Sequence, residues 1–286
     1  MPPHTIALVL VAAGAHAVWN TASKYKGGDT VVFVWAYTCA ATLLCLPVGI
    51  LPVVTGTQPI GWRLAAASAV SAVLHIVYSL TLQTGYDRFD LGVVYPVARG
   101  TGPVVTMLCA VLLPGERPTG TAVLGALVVV AGIVVVAGNP FRNGQRRPLR
   151  GVLWGAATGA TIAAYTLWDS HSVTSLRLAP ATYFTGTYLL QSLMLTPRAL
   201  HRRDHVRSVT RTNAGPILTI AVFSPLAYVL VLTAMQTASV ALVAPLRESS
   251  IVVGSLLAWW LFDEAHLARR IVGAAIVLAG IAAISL

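Results

Sequence analysis

The chain has 286 residues, of which 56% are hydrophobic and only 10% are charged, and its mean hydropathy is +0.76. A soluble domain carries roughly 25% charged residues, so this composition excludes an ordinary soluble protein and indicates a chain that faces lipid. The net charge of +10 does not indicate nucleic-acid binding, because most basic residues fall in short connections between apolar stretches.

Ten apolar segments follow one another, each long enough to cross a bilayer as a helix. The first ends in Ala15-His16-Ala17, which resembles a signal-peptide cleavage site, but no Lys or Arg precedes it, so we interpret it as a retained helix. The connections leave no room for a soluble domain. In chain order the predicted helices cover about 5–23, 31–54, 63–84, 91–113, 119–137, 151–169, 179–197, 215–235, 239–262 and 267–285.

The second half of the chain repeats features of the first half at a constant offset. Five helices per half is an odd number, so the second half must enter the membrane in the opposite orientation. The sequence therefore predicts an all-α integral membrane protein with ten transmembrane helices in two inverted five-helix repeats, 1–138 and 148–286. Four residues each lie 148 positions before an identical residue: Arg99 before Arg247, Glu116 before Glu264, Gly125 before Gly273 and Gly132 before Gly280.

Positive charge is distributed unequally between the two sides of the membrane. The connections between helices 1–2, 3–4, 5–6, 7–8 and 9–10, with their flanks, hold 14 Lys and Arg residues, and the other side holds three. By the positive-inside rule this places those connections in the cytoplasm and both termini outside.

Three charged residues fall near the centre of predicted helices 4 and 9, namely Arg99, Arg247 and Glu248. A charge at this depth costs about 2.5–3.5 kcal/mol, so these side chains must face the protein interior or a water-filled cavity. The two alternatives are an internal ion pair that holds helices together and a lining of the substrate path. Neighbouring helical positions point about 100° apart, so Arg247 and Glu248 are not expected to face one ligand together.

The same two helices contain proline within their apolar spans, at Pro96, Pro103 and Pro245. Proline removes a backbone hydrogen bond and kinks the helix. Interrupted helices at matching positions of two repeats indicate a transporter binding site. The alternative is a structural bend only.

Polar and aromatic residues recur at spacings of three and four in four predicted helices, so each set shares one helix face. These stripes predict a hydrated central cavity. The alternatives are interhelical hydrogen bonds and, for the two tryptophans, interfacial anchoring. The sets are His16, Trp19, Asn20 and Ser23; His75, Ser79 and Gln83, with Tyr78 nearby; Thr161, Tyr165, Trp168 and Asp169; and Tyr183, Thr187 and Gln191.

Four residues are candidates for carrying a proton: His16, His75, Asp169 and Glu248. The chain shows no metal-ligand spacing, phosphate loop or catalytic constellation, so we predict no metal, no cofactor and no enzymatic activity. The three cysteines fall in apolar segments and are interpreted as small apolar residues.

Glu116 and Glu264 precede predicted helices 5 and 10, where a carboxylate complements the helix dipole. Within these helices glycines recur every seven residues and form a smooth strip. The strip packs either between the two helices or against a second copy of the chain, so a monomer and a homodimer both stay open.

Together these features resemble the EamA-type branch of the drug/metabolite transporter superfamily. The resemblance covers nearly the whole chain. It rests on Tyr95-Pro96-Val97-Ala98-Arg99, on the turns at Gly115-Glu116 and Asp263-Glu264, and on Gly-Ala…Ala-Gly-Ile in the helix that follows each turn. It implies secondary transport of small polar metabolites, often export of amino acids, through a cavity open alternately to each side. It also implies cytoplasmic termini, opposite to the charge distribution.

The sequence thus predicts a secondary transporter in the bacterial inner membrane that exports a small polar or zwitterionic metabolite bearing a carboxylate or phosphate. Proton coupling stays open. The alternatives are a passive channel or non-transporting scaffold and, less favoured, a membrane-embedded enzyme acting on lipid. The predicted partners are a small-molecule substrate and the bilayer, not nucleic acid. The predicted substrate-binding residues are His16, Trp19, Asn20, His75, Tyr78, Tyr95, Arg99, Tyr165, Trp168, Asp169, Arg247 and Glu248.

Overall fold

The computed structural model describes residues 1–23, 25–89, 91–112, 119–137, 148–250, 253 and 267–285, and within them all regular structure is helical. Apolar helices suit lipid, because a helix satisfies every backbone hydrogen bond within one segment. The helices are α1 (Pro3–Ser23), α2 (Thr30–Val54), α3 (Trp62–Arg88), α4 (Leu91–Leu112), α5 (Gly120–Ala137), α6 (Pro148–Thr174), α7 (Pro180–His201), α8 (Arg203–Thr212), α9 (Ala214–Met235), α10 (Val240–Arg247) and α11 (Leu267–Ser285).

The all-helical membrane fold predicted from the sequence is confirmed. In the described part of the chain, α1, α2, α3 and α9 are long and apolar enough to cross a membrane by length and composition. The count of ten spanning helices and the orientation of the termini stay predictions.

Two predicted segments differ from the observed helices. The connection predicted over 198–214 contains the short helix α8, whose Val206 and Val209 pack against Val32 and Phe33 of α2. No Gly or Pro interrupts that stretch, so nothing prevents helix formation. Predicted helix 9 instead contains α10, which ends at Arg247 and is followed by a turn. Pro245 lies in its last turn and cannot donate a backbone hydrogen bond.

Several predicted features lie outside the described residues. They are Glu116 and Glu264, which precede predicted helices 5 and 10, the junction between the repeats at 138–147, and residues 254–262 of predicted helix 9.

Contacts between helices follow a matched pattern across the two halves. Helix α1 packs along α9, as α3 packs along α6, and α2 packs on α9, as α3 packs on α7. Helix α2 also packs on α7, and α5 packs on α11. If α1, α2, α3 and α5 of the first half are matched in order with α6, α7, α9 and α11 of the second half, each of these contacts has its counterpart in the same set. The two halves therefore build a common core by equivalent contacts.

The glycine strip lies between α5 and α11. A Cβ atom added to Gly132 would lie 2.7 Å from the backbone nitrogen of Val277, and one added to Gly280 would lie 2.7 Å from the carbonyl oxygen of Gly125. Only glycine permits backbones this close. The glycine strip therefore packs α5 against α11 of the same chain.

Polarity is inverted relative to a soluble protein. Large apolar side chains such as Leu43 and Val54 are exposed, at 72% and 76%, whereas Arg247 and Glu248 are among the largest fully buried side chains. An apolar outer surface around a polar interior is what a lipid environment requires.

Candidate functional site

A central cavity of about 50 Å³ lies between α1, α2, α3, α6, α7 and α9. This volume holds roughly three to five water molecules, or the polar end of a small metabolite. Aromatic residues dominate its wall. The lining residues are His16, Trp19, Tyr37, His75, Tyr78, Ser79, Leu82, Gln83, Tyr165, Phe184, Tyr188, Gln191, Ile220, Ser224 and Tyr228.

The cavity lies near the middle of the helices that line it. Its lining residues lie in the C-terminal halves of α1, α3 and α6, in the first two thirds of α9 and within the first twelve residues of α7. Three of the lining helices belong to the first half of the chain and three to the second half.

One buried polar group, the arginine cluster, consists of Arg99, Arg247, Glu248 and His16. Arg99 on α4 is 4% exposed, Arg247 at the end of α10 is 2% exposed, and Glu248 is fully buried. The two guanidinium groups share the Glu248 carboxylate, with N···O distances of 3.3 Å from Arg99 Nη1 to Oε2 and 3.3 Å from Arg247 Nη2 to Oε1. Two positive charges therefore face one negative charge.

His16 faces a donor at each ring nitrogen. Arg99 Nη2 lies 2.6 Å from its Nε2, and Trp19 Nε1 lies 3.1 Å from its Nδ1. A neutral imidazole accepts at one nitrogen only, and a proton added to His16 would remove that acceptor and leave neither donor with a partner on the ring. In this conformation the geometry therefore disfavours His16 as a proton carrier.

Arg247 carries hydrogen-bond donors that no described residue accepts. Its Nε and Nη1 are buried without a partner, as are the Oγ atoms of Ser249 and Ser250, which follow in the turn. Native proteins pair nearly all buried polar groups, so each exception calls for an explanation. An anionic ligand would supply the missing acceptors.

The second buried group, the Asp169 cluster, centres on a fully buried carboxylate of α6. Ser71 Oγ and Tyr183 Oη donate to Oδ1 at 2.7 and 2.5 Å, and His75 Nε2 and Tyr228 Oη bond to Oδ2 at 2.9 and 2.7 Å. The partners come from α3, α7 and α9. The carboxylate thus ties α6 to three other helices and has no unused acceptor direction.

Tyr165 connects the two clusters. Its ring stacks on His75 with centroids 4.2 Å apart, and its hydroxyl interacts electrostatically with Arg247, Arg99, Glu248 and Asp169. His75 also meets Tyr228 edge to face, at 5.3 Å. The wall of the cavity therefore separates an excess of positive charge from a buried carboxylate.

Polar contacts link the α1–α2 connection to the ends of α3, α7 and α8. Lys26 Nζ pairs with Asp87 at 2.8 Å, Asp29 pairs with Arg202, and the Asn213 side chain bonds the backbone of Gly27. Burial alone would raise the pKa of Asp29, but hydrogen bonds from the Val32 backbone and from Arg202 outweigh it and lower the pKa.

Comparison with known proteins identifies this architecture. The profile of the EamA-like transporter family matches the chain twice, over residues 4–138 and 149–286. The chain belongs to the EamA-like transporter family. Members of this family are transporters and multi-pass membrane proteins, so the predicted resemblance and the coarse function are confirmed.

One solved crystal structure shows the same fold as this EamA-like chain. It is 17% identical, with a TM-score of 0.76 over 99% of this chain and 96% of the other. In all, 29 chains of solved structures match. No curated protein sequence matches significantly.

Nine of the predicted site residues lie in or beside the cavity of this EamA-like protein. The first five line it directly, and the remainder form the buried clusters next to it. They are His16, Trp19, His75, Tyr78 and Tyr165, and then Arg99, Asp169, Arg247 and Glu248.

Two predicted site residues do not line the cavity, and the side chain of a third is not described. The amide of Asn20 donates to the His16 carbonyl of its own helix at 2.8 Å, and Trp168 Nε1 donates to the Ala67 carbonyl at 3.0 Å. The Asn20 side chain therefore bonds within α1, the Trp168 side chain links α6 to α3, and neither lines the cavity. The side chain of Tyr95 lies outside the described residues.

The sequence interpretation missed Tyr228, Ser71 and Tyr37, which complete the Asp169 cluster and the cavity wall. A signal was present for Tyr228, because Ser224 lies four residues earlier on the same helix face and also lines the cavity. Within the described residues no group of three metal-ligating side chains converges.

Proposed function

We propose that this chain is a secondary transporter that exports a small polar metabolite bearing a carboxylate or phosphate group across the bacterial inner membrane. The observation that carries the proposal is Arg247, a buried guanidinium with two N–H groups that no described residue accepts. A planar guanidinium matches carboxylate and phosphate oxygens through paired hydrogen bonds.

Charge supports an anionic group on the substrate. Arg99 and Arg247 share one carboxylate, so the arginine cluster carries one uncompensated positive charge. An uncompensated charge inside a membrane protein is costly, and an anion offsets it. The hydroxyl groups of Ser249 and Ser250 are further donors next to Arg247.

The cavity supports a small substrate with an apolar part. Tyr78, Tyr165, Phe184 and Tyr228 present ring faces and edges to it. Such rings bind aliphatic or aromatic groups and also attract an ammonium group. No carboxylate lines the described cavity wall, so the substrate's anionic end has the better-defined partner.

Alternating access is supported by the position of the cavity between the two halves. Helices α1, α2 and α3 of the first half and α6, α7 and α9 of the second half line it. Rocking of one half against the other would expose the cavity to each side of the membrane in turn.

A thermal-shift screen tests the binding site. Purified protein is heated with carboxylates, amino acids, nucleosides, sugar phosphates and phosphonates, and a compound that binds the folded state raises the melting temperature. We expect carboxylate- or phosphate-bearing compounds to stabilise the wild type and not Arg247→Gln. The matched control is Arg203→Gln on the exposed face of α8, which should respond as the wild type does.

Exchange across liposomes tests transport itself. Labelled compound from that screen should exchange saturably in proteoliposomes, and Arg247→Gln should abolish exchange while the protein stays folded. Non-saturable flux would indicate a channel, and no flux a scaffold. Unchanged exchange by Arg247→Gln would remove Arg247 from the site.

A further inference from the structure

Two buried carboxylates face two buried guanidinium groups, but they are divided unequally between the clusters. Glu248 lies with Arg99 and Arg247, and Asp169 lies in a separate cluster without a cation when His75 is neutral. An anion bound at Arg247 neutralises the excess positive charge of the arginine cluster and leaves the Asp169 carboxylate without a counter-charge. Because an unbalanced charge in this environment is costly, a positive charge added beside Asp169 lowers the free energy of the anion-bound state.

We propose that His75 and Asp169 form a proton-binding site that takes up a proton when an anion binds at Arg247. This inference rests on the proposed function and adds the coupled ion. The anion and the proton then occupy the protein together.

His75 is built to accept a proton without losing a contact. Its Nε2 lies 2.9 Å from Asp169 Oδ2, and a carboxylate oxygen only accepts, so the neutral ring carries its hydrogen on Nε2. Its Nδ1 is then the basic nitrogen, and no hydrogen bond from a described residue occupies it. Protonation at Nδ1 keeps the existing bond and turns it into an ion pair with Asp169.

A proton can reach His75 through the cavity and binds there rather than at Asp169. The ring lines the cavity, so cavity water reaches it, whereas Asp169 is fully buried behind it. Both Asp169 oxygens already accept two hydrogen bonds each, so a proton placed there would displace a donor. Histidine is also the side chain that exchanges a proton near neutral pH.

The charged groups near His75 and Asp169 determine how strongly proton binding depends on the bound anion. The facing tyrosines are neutral at physiological pH, so the formal charges near the pair belong to the arginine cluster. That cluster interacts with Tyr165, which stacks on His75, and its excess positive charge opposes an imidazolium. A bound anion removes this opposition. The titratable neighbours are Tyr78 on α3, Tyr165 on α6, Tyr183 on α7 and Tyr228 on α9, with Arg99, Arg247 and Glu248 beyond Tyr165.

Proton uptake on ligand addition tests the inference directly. Purified protein in weakly buffered detergent solution at neutral pH, with a pH-sensitive dye, is mixed with L-lactate, succinate or inorganic phosphate as anionic probes. L-Alanine serves as a zwitterionic control. We expect uptake of about one proton per bound anion by the wild type, and none with L-alanine.

The variant His75→Gln removes the titrating ring but keeps a donor to Asp169. If proton and anion binding are coupled, the coupling is reciprocal, so we expect this variant to lose proton uptake and to need a higher anion concentration for the same thermal shift. Selective ¹³C NMR of histidine in the wild type gives a second measurement that needs no variant. One ring should change to the imidazolium form when the anion is added.

The outcomes distinguish this inference from the proposed function. Anion binding that depends on Arg247, but occurs without proton uptake by the wild type, would overturn the proton site and leave the proposed function standing. Proton uptake by His75→Gln equal to that of the wild type would do the same. No thermal shift with any carboxylate or phosphate would overturn the proposed function itself.

Discussion

The Asp169 cluster and the arginine cluster lie on either side of Tyr165, and they differ in how fully their polar groups are paired. The Asp169 carboxylate accepts four hydrogen bonds of 2.5 to 2.9 Å. In the arginine cluster two guanidinium groups share one carboxylate at 3.3 Å, and Arg247 keeps two N–H groups without a described acceptor. A saturated group stabilises the fold, whereas an unsaturated one is available to a ligand.

Local geometry explains the difference. Asp169 lies within the continuous helix α6, where three neighbouring helices direct side chains at it. Arg247 and Glu248 are adjacent where α10 ends, and neighbouring positions diverge by about 100°. Their contact is therefore long, and part of the guanidinium group is left unpaired.

The largest effect is expected for Glu248→Gln. It removes the only carboxylate bonded to both guanidinium groups in the described structure and leaves two buried positive charges together. Breaking a buried pair costs about 3–5 kcal/mol. Unfolding of the purified protein in detergent should show a loss of this size. A loss below that of Asp169→Asn would reverse the ranking of the two clusters.

Asp169→Asn should rank second. The carboxamide keeps one acceptor oxygen, but its NH₂ group faces donors where the carboxylate accepted them. Hydrogen bonds to charged groups contribute about 1.5–3 kcal/mol, and we expect a loss in that range in the same measurement. An unchanged melting temperature would show that the cluster contributes nothing to stability.

Tyr228→Phe removes one of the four bonds to Asp169. We expect a loss of about 0.6–1.7 kcal/mol, from the mean to the maximum found for interhelical hydrogen bonds in a membrane protein. The matched control is Tyr188→Phe, which removes a hydroxyl that bonds the neutral Ser224 Oγ at 3.0 Å and no other described residue. Melting curves that rank the control as the more damaging change would argue against an ionised Asp169.

Arg247→Gln should change stability least among the buried variants. It removes unpaired donors and leaves Arg99 and Glu248 as a pair of opposite charge. We expect the free energy of unfolding to stay within about 1 kcal/mol of the wild type, because the lost contact and the relieved burial offset each other. A loss as large as that of Glu248→Gln would show that Arg247 is structurally paired.

The exposed pair of Asp29 and Arg202 provides a baseline for both clusters. Asp29→Asn keeps a capping side chain for α2 and should cost only about 0.2–1 kcal/mol at neutral pH. The folded pKa of Asp29 lies below its usual 3.8, so its stabilisation is present above pH 3.8 and is lost as the pH falls through the lower folded value. Denaturation of both proteins across acidic pH should converge; a constant difference would contradict the assignment.

Much of the fold could be predicted because long apolar segments in a membrane protein indicate helices. The repeat, the glycine strip and the burial of Arg99 and Arg247 all followed from spacing along the chain. Helix α8 was missed because a polar amphipathic helix of ten residues leaves no hydropathy signal.

The site was predicted only in part, because a sequence pattern shows which residues share a helix face but not which atoms they contact. Asn20 shares its face with His16, yet its amide bonds within its own helix. Tyr228 is one aromatic residue in an apolar helix, and its role depends on α6 lying opposite.

The sequence by itself determined an EamA-like membrane protein with two related halves and with charges at matching positions of the two repeats, since hydropathy and repetition are properties of the chain order. Only the tertiary structure decided which of those charges are satisfied. Hydrogen-bond saturation depends on distances between helices far apart in the chain. Those distances pair Asp169 with four donors and leave Arg247 with donors to spare.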